Sequence, residues 1–257
     1  MPEVRPLILI PSYNTGPILL QTVASIIKCE NPVWVVIDGS TDGSPQLLES
    51  ITNENFRVIF LQKNSGKGAA VLRGLREAIA AGFTHVLSID ADGQHPAASI
   101  PEFLKLSAAH PEAAVFGRPI FDGSAPALRV NGRKVSNFWA NLETLGWGVD
   151  DSLFGMRLYP AADLLAVLES TKFARRFDFD PEVAVRLAWR GVPIINLPTA
   201  VRYPSKEEGG ISQFRYIRDN VLLTRMHIRL FFGFLLRLPL LTLRGHNPLE
   251  YLNPPTP

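Results

Sequence analysis

The sequence contains little cysteine, little excess charge and no long uninterrupted apolar segment. Cys29 is the single cysteine among 257 residues, which excludes an intramolecular disulfide and a cysteine-based metal site. The 26 basic and 24 acidic residues leave a formal net charge of +2, so we expect no nucleic acid partner bound through broad phosphate neutralisation. No 18 consecutive residues are apolar and uncharged, and no segment therefore predicts a clear transmembrane span.

The first half of the chain alternates apolar strands with helices. We predict strands at residues 7–10, 33–37, 56–61 and 85–89. We also predict one helix that begins near Pro17 and a second helix that covers residues 69–80. Nearly continuous apolar strands separated by helices are typical of a mostly parallel sheet covered by helices on both faces. We therefore predict an α/β fold that binds its ligands beyond the carboxyl ends of the strands.

The second half has a weaker pattern. We predict helices at residues 128–145 and 181–189, strands at 152–159 and 192–197, and a helical tail from residue 213 onward. The tail is rich in Leu and Phe, with Arg229, Arg237 and Arg244 between them. This composition favours an amphipathic helix on anionic lipid, and the alternative is a helix packed on the main domain or on a second subunit. We place the main domain at residues 1–212 and a membrane-associating tail at 213–257.

Polar residues follow three of the predicted strands. Tyr13 and Asn14 follow the first strand, residues 38–43 follow the second, and Asp90 and Asp92 follow the fourth. Because the carboxyl ends of parallel strands meet at one edge of a sheet, we expect these side chains to lie close together. Two carboxylates at a strand end suit a hard divalent cation, Mg²⁺ or Mn²⁺, that is shared with substrate phosphates.

The residues alone leave two other interpretations of Asp90 and Asp92 open. Asp and Gly favour turns, so the motif is also compatible with a capped turn. An apolar strand followed by this motif also begins phosphatases of the haloacid dehalogenase type, in which Asp90 would be the nucleophile. In those enzymes the motif normally follows the first strand of the domain, whereas here it follows the fourth.

Cationic residues near these clusters are candidates for binding a diphosphate. Lys67 lies between two glycines before a predicted helix, where backbone N–H groups and the ammonium charge favour anions. The spacing does not match a P-loop, and no glycine-rich dinucleotide motif follows the first strand. Among Arg118, Arg129 and Arg133 we select Arg118 as the guanidinium group that binds the diphosphate.

Four stretches, residues 11–14, 38–43, 64–68 and 90–96, occur in an order that resembles family 2 glycosyltransferases of the GT-A fold. The resemblance is nearest to the branch that contains dolichyl- and polyprenyl-phosphate sugar transferases. It implies a GT-A sheet between helices, a donor sugar linked to UDP or GDP, a Mg²⁺ or Mn²⁺ ion, and transfer with inversion. A non-catalytic protein that keeps the nucleotide-sugar pocket is the alternative from another functional class.

The resemblance, added to the residues discussed above, predicts a complete site. The predicted donor-binding residues are Pro11, Tyr13, Asn14, Asp38, Lys67, Asp90 and Arg118; the metal ligands are Asp90, Asp92 and Gln94; the catalytic residues are Asp92 and Asp180; the acceptor-side residues are Arg157 and Glu182.

The resemblance also implies a lipid or lipid-linked acceptor. Polyprenyl-phosphate enzymes often carry a lysine where this chain has Gln213, and an amide does not supply that charge. We therefore expect a hydroxyl acceptor, which needs a base, and select Asp180 as that base. Asp180 and Glu182 also suit simple capping of a helix N-terminus. A single cysteine fits a reducing compartment. Together with the predicted membrane-associating tail, it leads us to expect a peripheral protein on the cytoplasmic face of the membrane.

Overall fold

The structure is a computed structural model that describes residues 3–121, 127–202 and 215–253. Within these ranges the strands are β1 Pro6–Ser12, β2 Val33–Asp38, β3 Phe56–Leu61, β4 His85–Ile89, β5 Ala114–Phe121, β6 Met156–Pro160 and β7 Ile194–Val201. The helices are α1 Ile18–Ile27, α2 Lys67–Ala80, α3 Ile100–Ala109, α4 Ala127–Thr144, α5 Ala161–Glu169, α6 Phe179–Trp189 and α7 Tyr216–Leu243.

The seven strands form one mixed sheet in the order β3-β2-β1-β4-β6-β5-β7. β6 runs antiparallel to β4 and to β5, and the other pairs are parallel. The carboxyl ends of β1, β2 and β4 therefore lie at the same edge, as the sequence predicts. The mostly parallel sheet between helices confirms the predicted α/β class and its GT-A arrangement.

Two buried apolar layers cover the faces of the sheet. Alternate residues of β1 point to opposite faces, so Leu9 packs in the layer under α2, α5 and α6, and Ile10 packs under α1 and α3. Every residue of β2 and β4 is buried, which explains why these strands are apolar without alternation. This double coverage leaves the strand ends as the accessible edge.

Several elements differ from the sequence-based expectations. The strand expected at 152–159 begins at Met156, because Ser152 instead donates its backbone N–H and hydroxyl to the side chain of Asn137 in α4. β5 was not predicted, since Gly117, Arg118 and Pro119 interrupt its apolar pattern. α3 and α5 were not predicted either. Gln213 and the proposed domain boundary at 212/213 lie outside the described residues.

α7 packs lengthwise on the domain through one side. Met226, His227, Leu230 and Phe234 are buried, and α7 contacts α4 and α6. Among the described helices, α7 alone is long and apolar enough to cross a membrane by length and composition, with a mean hydropathy of 1.5 in its most apolar 18-residue window. Only 28% of that window is buried, so most of it is open to the surroundings.

A substitution at Gly117 tests the packing between β5 and the segment before β6. A Cβ atom at this position would lie 2.2 Å from Phe154 Cε1 and 3.0 Å from the carbonyl oxygen of Met156. Gly117→Ala should lower the free energy of unfolding by about 1–3 kcal/mol, as overpacking does. The measurement is urea denaturation, with Gly132→Ala in α4 as control, where a Cβ atom meets nothing within 4 Å. Equal unfolding midpoints for the two variants would contradict this account.

Candidate active site

A cavity of about 1020 Å³ opens at the carboxyl ends of β1, β2 and β4. Its lining includes Pro11, Tyr13, Asp38, Lys67, Asp90, Asp92, Gln94 and Asp180 from the predicted site. The structure therefore brings together the polar residues that follow the three strands. Asn14, Arg118, Arg157 and Glu182 are outside the lining, and each has a different contact that explains its position.

The loops after β1 and β2 hold each other in place. Asn14 has a positive φ of 46°, its backbone N–H donates to Ser40 Oγ, and its side-chain oxygen accepts the N–H of Thr41. The N–H of Gly16 donates to Asp42 Oδ2 at 2.7 Å. Asn14 thus joins the two loops, and its predicted contact with the donor stays a prediction.

Asp38 supports the loop that precedes α2. Its Oδ1 accepts the backbone N–H of Ser65 at 2.7 Å, and its Oδ2 accepts the N–H of Gly66 at 2.6 Å. The side chain is buried at the cavity wall. The carboxylate therefore fixes the backbone directly before Lys67, a contact that the sequence analysis did not foresee.

Lys67 lies between two carboxylates in the cavity lining. We call Lys67, Asp90, Asp92 and Asp180 the cavity floor. Its Nζ lies 2.7 Å from Asp90 Oδ1 and 2.6 Å from Asp180 Oδ2. Burial by itself would lower the pKa of Lys67, but the charges of Asp180 and Asp90 raise it well above its usual value. The ammonium group is therefore charged and links the start of α2 to the end of β4 and the first turn of α6.

The backbone at the start of α2 has partners of its own. The N–H of Gly66 donates to Asp38, and the N–H of Gly68 donates to the carbonyl oxygen of Arg175 at 3.0 Å. These two amides therefore have partners within the protein, and the expected binding of an anion by the backbone there stays a prediction. The positive charge at this end of α2 comes from the side chain of Lys67.

Asp180 lies in the first turn of α6 with its carboxylate in the cavity. Burial raises its pKa, while the charges of Lys67 and Arg157 oppose that rise. Arg157 is fully buried and its Nη1 donates to the backbone oxygen of Asp180 at 2.6 Å. Arg157 therefore supports the backbone of Asp180, and its predicted place on the acceptor side stays a prediction.

Asp90 and Asp92 provide the oxygen atoms that a divalent cation would use. Both line the cavity, and Asp92 Oδ1 accepts the backbone N–H of Gln94 at 3.1 Å. A Cβ atom on Gly155 would lie 1.8 Å from Asp90 Oδ2, so only glycine leaves room for this carboxylate. Carboxylate oxygens fit Mg²⁺ or Mn²⁺. The described residues contain no group of three His, Cys, Asp or Glu side chains that could hold a metal ion, and Gln94 offers an amide oxygen in the same lining.

His95 belongs to a separate, smaller cavity. Its ring packs edge-on against Phe154 with centroids 4.6 Å apart, and Thr22 and Arg202 line the same space. Burial, with the nearby charge of Lys67, lowers the pKa of His95 to about 3. The imidazole is therefore neutral at neutral pH, and it does not line the main cavity.

Glu182 is fully buried between α6 and α7. Its Oε1 accepts a hydrogen bond from Arg186 Nε at 2.9 Å, and its Oε2 accepts one from Arg229. This carboxylate connects two helices, and its predicted place on the acceptor side stays a prediction. Its neighbour Asp180 faces the opposite way, into the cavity, because the two side chains are two positions apart on a helix.

Four arginines that line the cavity form a group that we call the arginine rim: Arg133, Arg176, Arg215 and Arg218. Arg133 comes from α4, Arg176 from the segment before α6, and the other two from the start of α7. Arg118, selected from the sequence, instead donates to Asp150 Oδ2 at 3.2 Å outside the lining. The rim joins residues far apart in the chain, so no local pattern marks it.

The chain has relatives among characterised and uncharacterised proteins. It is 25% identical over 216 residues to polyprenol monophosphomannose synthase from Mycolicibacterium smegmatis, covering 81% of this chain and 80% of that protein. It is 28% identical over 220 residues to undecaprenyl-phosphate mannosyltransferase from Micrococcus luteus, covering 81% and 89%. An uncharacterised protein, MJ0544 from Methanocaldococcus jannaschii, is 26% identical over 207 residues, covering 76% and 87%.

Solved structures share the fold. A mycobacterial protein matches with a TM-score of 0.66 at 16% identity, covering 90% of this chain and 74% of that one. Residues 1–349 of S. aureus TarS, solved with UDP-GlcNAc, match with a TM-score of 0.58 at 18% identity, covering 88% and 66%. The sequence profile of glycosyl transferase family 2 matches residues 7–162. This chain therefore belongs to glycosyl transferase family 2, and within it the chain is similar to the polyprenyl-phosphate sugar transferases named above.

Proposed function

We propose that this glycosyltransferase moves a sugar from a nucleotide-sugar to a polyprenyl phosphate at a membrane surface. The observation that carries the proposal is the combination of opposite charges in the cavity. Asp90, Asp92 and Asp180 with Lys67 line the cavity, and the four arginines of the arginine rim line the same cavity. The names of the mycobacterial and Micrococcus relatives describe transfer to such lipid phosphates.

The donor would lie along the ends of β1 and β2. Pro11 and Tyr13 would contact the nucleoside of a UDP- or GDP-linked sugar, supported by the loop that Asp38 holds. Asp90 and Asp92, with Gln94, would hold Mg²⁺ or Mn²⁺. Such an ion, when bound, neutralises charge on the leaving diphosphate. Lys67 would add a second positive charge on the same floor.

The acceptor phosphate would bind the arginine rim. Guanidinium groups suit phosphate because they offer parallel N–H donors. This proposal departs from the hydroxyl acceptor that Gln213 suggested, because the rim supplies cationic groups from positions that sequence motifs do not mark. A phosphate oxygen is already ionised and needs no base, so Asp180 serves to hold Lys67 on the floor.

The reaction would be a direct displacement with inversion. An oxygen of the lipid phosphate would bond to the anomeric carbon as the bond to the nucleoside diphosphate breaks. The products would be a lipid-phosphate sugar and a free nucleoside diphosphate. The phosphatase alternative for Asp90 no longer applies, because the chain belongs to a glycosyltransferase family and its Asp90 is paired with Lys67.

Two packed helices offer a surface for the membrane. We call the exposed apolar side chains of these helices the apolar face: Val135, Phe138 and Leu142 of α4, and Ile228, Phe232, Leu235, Leu236, Leu240 and Leu243 of α7. Val135 also lines the cavity, so the cavity opening meets this face. A helix with one buried side and one apolar exposed side suits the plane of a bilayer interface. We place the protein on the cytoplasmic face.

The acceptor class is tested with a matched pair of acceptors. Farnesyl phosphate and farnesol share one chain and differ in the phosphate. With GDP-mannose, UDP-glucose and UDP-N-acetylglucosamine as candidate donors, we expect Mg²⁺- or Mn²⁺-dependent transfer to farnesyl phosphate and no product with farnesol. Transfer to farnesol alone would restore the hydroxyl acceptor and the role of Asp180 as base.

The metal site is tested by Asp92→Asn, which removes one ionised carboxylate and keeps the shape. Transfer should fall by about 100-fold or more, since charge stabilisation by a metal ion is worth several kcal/mol. Calorimetry should show that Mn²⁺ no longer strengthens nucleotide binding. Asp163→Asn is the control, because Asp163 pairs with Arg190 on the surface of α5. Unchanged Mn²⁺-dependent binding in Asp92→Asn would exclude Asp92 as a ligand.

Membrane binding is tested by Leu236→Glu, because Leu236 is 82% exposed on α7. A truncation from Leu230 would also remove the buried side chains of Leu230 and Phe234 and is less specific. The affinity for phosphatidylglycerol vesicles, measured by sedimentation, should fall roughly tenfold, which is the equivalent of losing one buried leucine. Phe60→Glu, at an exposed position of β3, should sediment like the wild type. Failure of the wild type to sediment at low salt would refute the membrane proposal.

A further inference from the structure

Glu182 and Arg229 join α7 to the helix that carries Asp180. Arg229 lies in the middle of α7 and donates through Nη2 to Glu182 Oε2, while Arg186 pairs with Oε1 at 2.8 Å. Glu182 is fully buried and lies two residues after Asp180 in the first turn of α6. Arg229 is outside the cavity lining, so any effect on the reaction passes through other residues.

Arg229 also contacts the segment between α5 and α6. Its guanidinium carbon lies 3.6 Å from the ring centroid of Phe173. Two residues later, the carbonyl oxygen of Arg175 accepts the N–H of Gly68 at the start of α2. The carboxylate of Asp178 accepts two backbone N–H groups of the same segment. Arg229 therefore contacts the first turn of α6 and the segment that precedes it, the two parts of the chain that place Asp180 next to Lys67.

We propose that Arg229 is a positioning residue for sugar transfer, which sets the first turn of α6 against α2 and so keeps Asp180 in contact with Lys67. The inference rests on the proposed function. Its physical basis is that a buried carboxylate which loses one cationic partner becomes undercompensated, and its helix turn then moves to find another. A misplacement of about 1 Å at a reacting site costs about 100-fold in rate.

Arg237 provides a matched control from the same helix. Its guanidinium carbon lies 4.6 Å from the ring centroid of Trp189 at the carboxyl end of α6, and its Nη1 donates to the Gly233 carbonyl oxygen. Arg229 and Arg237 thus both pack α7 on α6, but of these two only Arg229 reaches the first turn of α6. An effect on the position of Asp180 should therefore appear with Arg229 and not with Arg237.

A double-mutant cycle tests whether Arg229 acts through Asp180. The proteins are wild type, Arg229→Met, Asp180→Asn and the double variant, assayed for transfer to farnesyl phosphate without vesicles. We expect Arg229→Met to lower kcat by about 10- to 100-fold with little change in donor KM. Asp180→Asn should lower kcat by a several-fold smaller factor in the Arg229→Met background than in the wild type, because the effects of substituting two groups that act as one unit are not additive. Arg237→Met should change kcat by less than about threefold and combine additively with Asp180→Asn.

A second measurement requires no turnover. Amide hydrogen exchange at Phe179 and Glu182 in the first turn of α6, whose N–H groups donate to the carbonyl oxygens of Arg176 and Asp178, should be faster in Arg229→Met than in Arg237→Met. Arg229→Lys, which keeps the charge, should lie between wild type and Arg229→Met, and it replaces the Met variant if that protein does not fold. Equal exchange and additive effects on kcat would overturn the inference. A wild type that transfers to none of the acceptors would contradict the proposed function, while the exchange comparison would still decide the role of Arg229.

Discussion

The ion pairs of Lys67 with Asp90 and Asp180 are the interactions on which the rest of the site depends. They connect the start of α2, the end of β4 and the first turn of α6 within one small volume. Because burial opposes a charge on Lys67, the ammonium group stays charged only while the two carboxylates remain close. The surrounding contacts serve this arrangement: Asp38 fixes the backbone before Lys67, and Arg157 fixes the backbone of Asp180.

The cavity lining combines carboxylates with cationic side chains, and this combination matches the chemistry of a family 2 glycosyltransferase. Carboxylates lie where a donor diphosphate and its cation would be held, and guanidinium groups line the same cavity. α7 contributes to both the rim and the apolar face. Its buried side packs on α4 and α6, and its other side remains apolar and exposed. One helix thus connects the surface proposed to meet lipid with the helix that carries Asp180.

The site could be predicted in part. Asp90, Asp92 and Gln94 were identified from a motif at a strand end, Lys67 from its place between two glycines before a helix, and Asp180 from the family resemblance. The structure places all five in the cavity lining. Some of the predicted site residues hold loops or helices together in the structure. Asn14 and Arg157 have the right residue types, but their polar atoms bond to the protein itself. Sequence spacing identifies which polar groups are near a strand end, whereas it does not reveal which way each one points.

The sequence by itself determined the parallel half of the sheet, because buried strands such as β2 and β4 need continuous apolar residues and their polar ends must then gather at one edge. It also determined the apolar and basic character of α7. Only the tertiary structure decided which arginines line the cavity, since the arginine rim combines α4, the segment before α6 and α7. It also decided that Glu182 is buried against Arg229, because that contact joins positions 47 residues apart. Contacts of this kind depend on how helices pack across the fold, and no local period or spacing encodes them.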